Sequence, residues 1–223
     1  MAGIHGMEAV HGEAVHEPKS FVRRYLFSTD HKVIGIQYYL TGMAVAVVAG
    51  LLAMLIRLQL AWPMAKLPLL GRLFPDGMSG GVMKPEFYLA LVTMHGTLMV
   101  FFVISFALVS GFGNYLIPLQ VGARDMAFPF LNMLSYWVVV PTTLIMLASF
   151  FVEGGAAAAG WTAYPPLSAV QQAIPGSGLG QTLWILGMAL FIASFTLGGL
   201  NFFTTILNLR TKGMAMMRLP VTI

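Results

Sequence analysis

The chain has 223 residues, of which 58% are hydrophobic and 9% charged, with a net charge of +4. Soluble domains carry about 25% charged residues, so this composition excludes an ordinary soluble domain. The sequence contains no cysteine, which excludes disulfides and thiolate metal sites within it. It also shows no basic, aromatic-interleaved patch of the kind that binds nucleic acid.

Residues 1–26 form a polar N-terminal arm, and residues 27–223 form the predicted membrane domain. Three histidines of the arm, His5, His11 and His16, are expected to lie in a solvated segment, with a metal site as the alternative. Four later segments are long enough to cross a bilayer, which takes about 20 apolar residues. They predict an all-α membrane protein with transmembrane helices at about 33–60, 87–119, 126–152 and 181–209. Small residues such as Gly198 and Gly199 are expected to mark close helix contacts.

Basic residues set the predicted orientation, because cytoplasmic loops of membrane proteins are enriched in lysine and arginine. Eight lie on the side of both termini and four on the other side. This bias predicts that both ends of the chain are cytoplasmic. The eight are Lys19, Arg23, Arg24, Lys32, Arg124, Arg210, Lys212 and Arg218; the four are Arg57, Lys66, Arg72 and Lys84.

His95 is the most informative residue, because it is an ionisable side chain inside the second apolar segment. Such a residue is costly in a membrane and indicates a ligand, a proton relay or a paired charge. An imidazole nitrogen is a common ligand of haem iron. The alternative is a histidine that hydrogen-bonds a neighbouring helix. Arg57, at the outer end of the first segment, either reaches the interface or binds a polar substituent of a cofactor held by His95.

Polar residues recur in the half of the membrane nearer the termini. Amides and hydroxyls that converge between helices can hold a file of water, and a carboxylate at its mouth can collect protons. The alternative is interhelical hydrogen bonding, with the carboxylate as a helix cap. The polar residues are Asn114, Asn132, Ser135, Ser194 and Asn201, and the carboxylate is Asp125.

Several ordered motifs resemble subunit I of the haem–copper oxidases, of the aa3-like cytochrome c oxidase type. They are Ser28–Gly35, Thr93–Gly96, Gly111–Leu119, Gly122–Pro129, Gly160–Leu167 and Asn201–Thr205. The resemblance covers nearly all of the chain from Phe27 onward. It implies that the four helices are the first four of a twelve-helix bundle. Leu219–Ile223 resembles the start of a fifth helix, so we expect a partial sequence.

The resemblance also implies roles for individual residues. His95 matches an axial ligand of the low-spin haem, Arg57 the arginine that hydrogen-bonds the formyl group of haem a, and Trp161 a tryptophan that contacts a haem propionate. Asp125 matches the carboxylate at the mouth of a proton-uptake channel. The positions along that channel match Tyr38, Asn114, Asn132, Ser135, Ser194 and Asn201.

By the same resemblance, the expected function is that of a proton-pumping terminal oxidase, an oxidoreductase of the respiratory chain that reduces oxygen to water. Electrons are expected from cytochrome c through a copper-bearing partner subunit. Further oxidase subunits, membrane lipid and a larger respiratory supercomplex are the other expected partners. The high-spin haem and copper have no ligands here, so this chain alone is expected to be catalytically incomplete. A bacterial inner membrane is the expected location.

Departures from the family pattern bear on the electron donor and the channel. Leu52, Phe87 and Ala90 stand where quinol-oxidising relatives carry polar quinone-site residues, which favours cytochrome c. Phe195 follows Ser194 where the family has a second serine, and Gln59 replaces a glutamate of an outer cation site. A quinol-oxidising enzyme and a non-catalytic, haem-sharing membrane subunit remain the alternatives, with a nitric oxide reductase more distant.

Overall fold

The computed structural model describes residues 20–170, 172–173 and 178–223. Within them, four helices are long and apolar enough to cross a membrane: α1 (His31–Ala61), α2 (Pro85–Val121), α3 (Pro129–Phe151) and α4 (Leu179–Asn208). The prediction of a four-helix, mostly α-helical membrane protein is therefore confirmed. The third helix begins three residues later than expected. The three histidines of the N-terminal arm lie outside the described residues.

The helix ends follow local signals in the sequence. α1 begins after Asp30, whose Oδ1 accepts a hydrogen bond from the backbone N–H of Lys32 at 2.8 Å. α2 and α3 each begin with a proline, which has no N–H to leave unsatisfied in the first turn. α2 ends at Val121, and the next residue, Gly122, has a φ of +73°, the left-handed conformation that commonly stops a helix.

The bundle consists of two antiparallel pairs, because α1 packs along α2 and α3 packs along α4. Glycines let α1 approach α2 closely: a Cβ atom placed on Gly42 would lie 2.7 Å from Cβ of Ala107. The expectation that Gly198 and Gly199 mark close helix contacts is wrong for the described residues. No described atom lies within 4 Å of a Cβ placed on either residue.

The middle of α2 departs from ordinary α-helical geometry. Leu98–Phe112 forms a π-helix, in which each N–H bonds the carbonyl five residues earlier. Its buried residues recur mainly every four positions, as at Leu98, Phe102 and Phe106. The preceding turns, which carry His95, are α-helical. The residues of α2 that face α1 therefore do not follow one helical period along the whole helix.

The two ends of the bundle differ in structure. The terminal end holds residues 20–30, 122–128 and 209–223, and is closed by a hydrogen bond from the Thr211 N–H to the Val121 carbonyl at 2.8 Å. The loop end holds residues 62–84 and 152–170. It contains a short helix, Pro68–Leu73, and two antiparallel two-residue strands, β1 (Met78–Ser79) and β2 (Val82–Met83). This hairpin is the one described exception to the all-α prediction.

A matched pair of glycine substitutions tests the α1–α2 contact. We expect Gly42→Ala to lower stability by about 1–3 kcal/mol, the usual cost of overpacking, because its methyl group meets Ala107. Gly50→Ala is the control, since a Cβ there meets nothing within 4 Å. Thermal unfolding of the detergent-solubilised protein measures both. Equal midpoints for the two variants would contradict the packing described here.

Candidate functional site

His95 lies in the loop-end half of the bundle, ten residues after the first residue of α2. At 1.5 Å per residue this is about 15 Å from the helix start. Its Nδ1 lies 2.9 Å from the carbonyl oxygen of Ala49 on α1. Because a carbonyl oxygen only accepts hydrogen bonds, Nδ1 carries the proton and Nε2 keeps its lone pair. One bond thus fixes both the tautomer and the ring orientation, as at ligating histidines.

The loop end packs against the turn that carries His95. The backbone N–H of Gly160 donates to Oγ1 of Thr93 at 3.0 Å. A Cβ placed on Gly96 would lie 3.6 Å from Cδ1 of Trp161, so the indole lies beside the residue next to His95. The Trp161 ring also contacts Phe101, with centroids 5.7 Å apart, and is 48% exposed. Trp161 is therefore close to His95 and open to a further group.

Arg57 lies in the same half of the bundle as His95. It follows Ala49 by eight residues, which places it about 12 Å further toward the loop end. Its side chain is exposed, and it lines a cavity with Trp62. None of the hydrogen bonds of the described residues joins Arg57 to His95. A free imidazole nitrogen with a guanidinium and an indole in the same half fits one axial position of a haem and its polar edge.

Three helices meet at a buried cluster of hydroxyl groups. The Tyr38 hydroxyl of α1 donates to Oγ of Ser135 on α3 at 2.9 Å. Oγ of Ser135 donates to the carbonyl of Asn132 at 2.7 Å, and Oγ of Ser194 on α4 donates to the carbonyl of Ser135 at 2.7 Å. All four residues are buried. The structure thus brings together four of the predicted channel residues.

Two asparagines near this cluster carry buried atoms that lack a protein partner. In the described part of the chain, neither side-chain atom of Asn132 is hydrogen-bonded, and Oδ1 of Asn114 is also unpaired. Nδ2 of Asn114 donates to the carbonyl of Ser110 at 2.8 Å. An unpaired buried polar atom costs about 1–3 kcal/mol. Ordered water is the usual partner of such atoms, so these positions fit a hydrated path.

Asn201 serves a different purpose from the other polar residues. Its Oδ1 accepts from the N–H of Phe128 at 2.8 Å, and its Nδ2 donates to the carbonyl of Phe128 at 3.2 Å. One turn later, Oγ1 of Thr205 accepts from the N–H of Ala127 at 2.9 Å. The Asn201 carboxamide is thus committed to the backbone that follows Asp125. Beyond Ser194, Phe195 stacks on Phe191 with ring centroids 5.7 Å apart.

Asp125 lies in the connection between α2 and α3. Its Oδ1 accepts from the N–H of the next residue, Met126, at 2.7 Å. The helix-cap alternative is wrong, because α3 begins four residues later and its N-cap, Phe128, makes no side-chain cap bond. Burial raises the pKa of the Asp125 carboxyl, and the bond from Met126 and the charge of His31 partly offset this.

His31 is a residue that the sequence reasoning missed. It is the first residue of α1, it is 2% exposed, and its Nδ1 lies 2.8 Å from the carbonyl of Asn114. It lies beside Asp125 at the terminal end. The available signal was its place at the start of the first helix, directly after a capping aspartate. His31 therefore joins α1, α2 and the Asp125 connection.

Comparison with known proteins identifies the family. The sequence profile described as "Cytochrome C and Quinol oxidase polypeptide I" matches residues 33–223. The chain belongs to this family. It is 46% identical over 209 residues to the alternative cytochrome c oxidase subunit 1 of Bradyrhizobium diazoefficiens, covering 94% of this chain and 33% of that protein. It is 40% identical over 197 residues to the cytochrome c oxidase subunit 1 of Thermostichus vulcanus, covering 88% of this chain and 32% of that protein.

A third relative, the cytochrome c oxidase subunit 1 of Cereibacter sphaeroides, is 36% identical over 229 residues, covering 96% of this chain and 39% of the relative. The chain thus spans about a third of the length of the curated relatives it matches. Membership of the polypeptide I family, with four apolar helices, makes it a multi-pass integral membrane protein. Membership also implies haem and copper cofactors and association with other oxidase subunits.

The raised pKa of Asp125 in this polypeptide I chain predicts a measurable titration. We expect its carboxyl to stay protonated above the ordinary value of 3.8. In that range the unfolded state binds fewer protons than the folded state, so stability falls as the pH rises through it. Infrared difference spectra of the complete oxidase and its Asp125→Asn variant isolate the carboxyl band. A midpoint at or below 3.8 would contradict the prediction.

Proposed function

We propose that this chain is the N-terminal part of the catalytic subunit of a proton-pumping terminal oxidase, which reduces oxygen to water with electrons from cytochrome c. The observation that carries the proposal is that the two halves of one bundle hold different kinds of polar groups. The loop-end half holds the free Nε2 of His95, and the terminal-end half holds a buried polar path that begins at Asp125. A redox centre and a proton path are the two parts that such an enzyme must combine.

In the proposed site, Nε2 of His95 would ligate the iron of a low-spin haem a, Arg57 would hydrogen-bond its formyl group, and Trp161 would contact a propionate. When bound, the haem takes up and passes on single electrons. The carbonyl of Ala49 holds the imidazole in the ligating tautomer. The second axial ligand, the high-spin haem and the copper ligands are assigned to parts of the subunit beyond this chain.

Protons are proposed to enter at the terminal end through the Asp125 carboxylate, which His31 adjoins. Asn201 holds the following backbone and so keeps Asp125 at the mouth. Water bound at the unpaired amides of Asn114 and Asn132 continues the path. The hydroxyls of Tyr38, Ser135 and Ser194 each have a hydrogen that can be donated onward and lone pairs that can accept. These side chains thus offer a proton several successive acceptors.

Cytochrome c is favoured over quinol as the electron donor. Leu52, Phe87 and Ala90, which stand at the quinone-site positions of the quinol-oxidising relatives, are 8%, 6% and 3% exposed. Buried apolar side chains offer no hydrogen bond to a quinol head group. Electrons are therefore proposed to arrive through a copper-bearing partner subunit, within the respiratory chain and its larger assemblies.

The proposed location is a bacterial inner membrane, with the terminal end on the cytoplasmic side. The basic residues that predict this orientation lie at the terminal end, except Lys19, which is outside the described residues. A non-catalytic, haem-sharing subunit is the second candidate. It rests on His95 being the only histidine of the described spans that lies away from their ends.

Substitution of His95 tests the haem assignment. We expect His95→Ala to abolish the low-spin haem signal in the reduced-minus-oxidised spectrum of the assembled oxidase, because the axial nitrogen is lost. His31→Ala is the control: it also removes an imidazole whose Nδ1 contacts a backbone carbonyl, but at the terminal end, and the low-spin signal is expected to remain. A carbon monoxide difference spectrum reports the high-spin site separately. An intact low-spin spectrum in His95→Ala would refute ligation.

Substitution of Asp125 tests the proton path. We expect Asp125→Asn to slow turnover by roughly 10²-fold, the low end for loss of a positioned proton-transfer group, and to abolish pumping. Asp30→Asn is the matched control, because asparagine also caps a helix well and the α1 start is preserved. Proton release per electron from reconstituted vesicles measures the effect. Unchanged pumping in Asp125→Asn would remove this residue from the mechanism.

A further inference from the structure

We propose that Gln181 anchors an enclosed water-binding site in the loop-end half, between α4, α2 and the loop segment 155–160. The site is separate from the polar path at the terminal end. It does not depend on the function proposed above, because its defining observation is the burial of Gln181 by this chain alone. Its ligand is one water molecule or a few.

Gln181 is a fully buried amide without a protein partner. The residue is 2% exposed, and within the described residues neither Oε1 nor Nε2 has a hydrogen-bond partner. This burial is complete in a chain that spans about a third of its relatives. Further helices of a longer subunit therefore have no open route to these two atoms. Since no described protein group bonds these atoms, a small molecule enclosed beside them is the partner that we infer, and water is the usual one.

Polar groups of α4 and α2 meet about one helical turn from Gln181. Trp184 lies one turn along on the same face of α4 and donates its Nε1 hydrogen to Oγ1 of Thr97 at 3.0 Å. Oγ1 of Thr97 in turn donates to the carbonyl of Thr93 at 2.8 Å. Because α2 and α4 run in the same direction, Gln181 lies at the level of Thr93, one turn toward the loop end.

The threonines at this level retain hydrogen-bonding capacity. Oγ1 of Thr93 donates to the carbonyl of Leu89 at 2.9 Å and accepts from the N–H of Gly160 at 3.0 Å. Oγ1 of Thr97 likewise donates once and accepts once. A hydroxyl oxygen has two lone pairs, so each keeps one for a further donor. The Gln181 amide itself offers a donor and an acceptor, and the threonines add acceptor capacity at the same level of the bundle, so the proposed water has the polar groups it needs.

Space and access are available next to the site. A cavity of about 650 Å³ opens at the loop end and is lined by Ala90, Gly155 and Ala156, among others. Gly155 and Ala156 pack directly against Gly180, where an added Cβ would overlap the Gly155 carbonyl oxygen. Ala90 lies one turn before Thr93 on α2. The cavity thus reaches the small residues that pack against Gly180, the neighbour of Gln181 in the chain.

The proposed water ties α4 to the turn of α2 that spans Thr93 and Thr97. His95 lies in that turn, with its ring held from the other side by the Ala49 carbonyl. The chain then has hydration sites at both ends, one at Asn132 and Asn114 and one at Gln181. Water at Gln181 adds hydrogen bonds to the apolar contact between this turn and α4.

The first test is a structure of the complete oxidase at a resolution that shows ordered water, for the native enzyme, Gln181→Leu and Gln59→Leu. We expect water density within hydrogen-bond distance of the Gln181 amide, its loss in Gln181→Leu, and its retention in Gln59→Leu. The control makes the same substitution at the outer end of α1. An amide bonded directly to another protein group, with no water beside it, would overturn the proposal.

Infrared spectroscopy of oxidase with ¹³C-labelled glutamine is the second test. The difference between the native enzyme and Gln181→Met, a variant of similar length without the amide, isolates the Gln181 carbonyl band even if Gln181→Leu does not assemble. A band at the frequency of a hydrogen-bonded amide supports the site where the first test shows no protein group bonded to that amide, and a band at the frequency of an unbonded amide refutes it. Neither outcome depends on whether His95 binds haem.

Discussion

Inside a bundle of apolar helices, each buried polar atom needs a partner within the protein or an enclosed water, because lipid provides neither. This constraint orders the structure more strongly than the apolar contacts do. The Tyr38 hydroxyl reaches Ser135 on another helix, and Ser194 reaches the Ser135 backbone. These bonds fix how α1, α3 and α4 face one another. Where no protein group is available, as at Asn132, the amide marks a place for water.

The same constraint positions His95 and Asp125, the two residues for which chemical roles are proposed. A backbone carbonyl, that of Ala49, determines which nitrogen of His95 is free. Asn201 and Thr205 hold the N–H groups of residues 127–128 ahead of α3 and so fix the approach of the chain from Asp125. In both cases the partner is on a different helix. The site therefore depends on the bundle being assembled, and not on any one helix.

The polar residues of the sequence divide into two groups that their identities alone do not separate. The side-chain amide of Asn201 bonds the backbone of Phe128 through both its oxygen and its nitrogen, whereas the side-chain amide of Asn132 bonds no described group. Both are buried asparagines on helices that meet near the terminal end. The first stabilises the connection, and the second has the properties of a water site. Gln181 repeats the second arrangement at the opposite end of the bundle.

The sequence by itself determined the four apolar spans, because span length and hydropathy are local properties, and it singled out His95, Asp125 and the polar residues by their cost in a membrane. Its motifs also indicated the oxidase family. Helix starts were largely readable too, from Asp30 and the prolines of α2 and α3.

Only the tertiary structure decided which of these residues touch. Asn201, His31 and His95 are held by groups far along the chain; Ala49 and His95, for example, are 46 residues apart. The burial of the Gln181 amide without a protein partner likewise depends on the packing of distant segments. The π-helical turns of α2 also change which side chains face α1, so helical periodicity does not predict that face. Likewise, Gly42 forms a close contact while Gly198 does not, since a glycine matters only where another backbone approaches it.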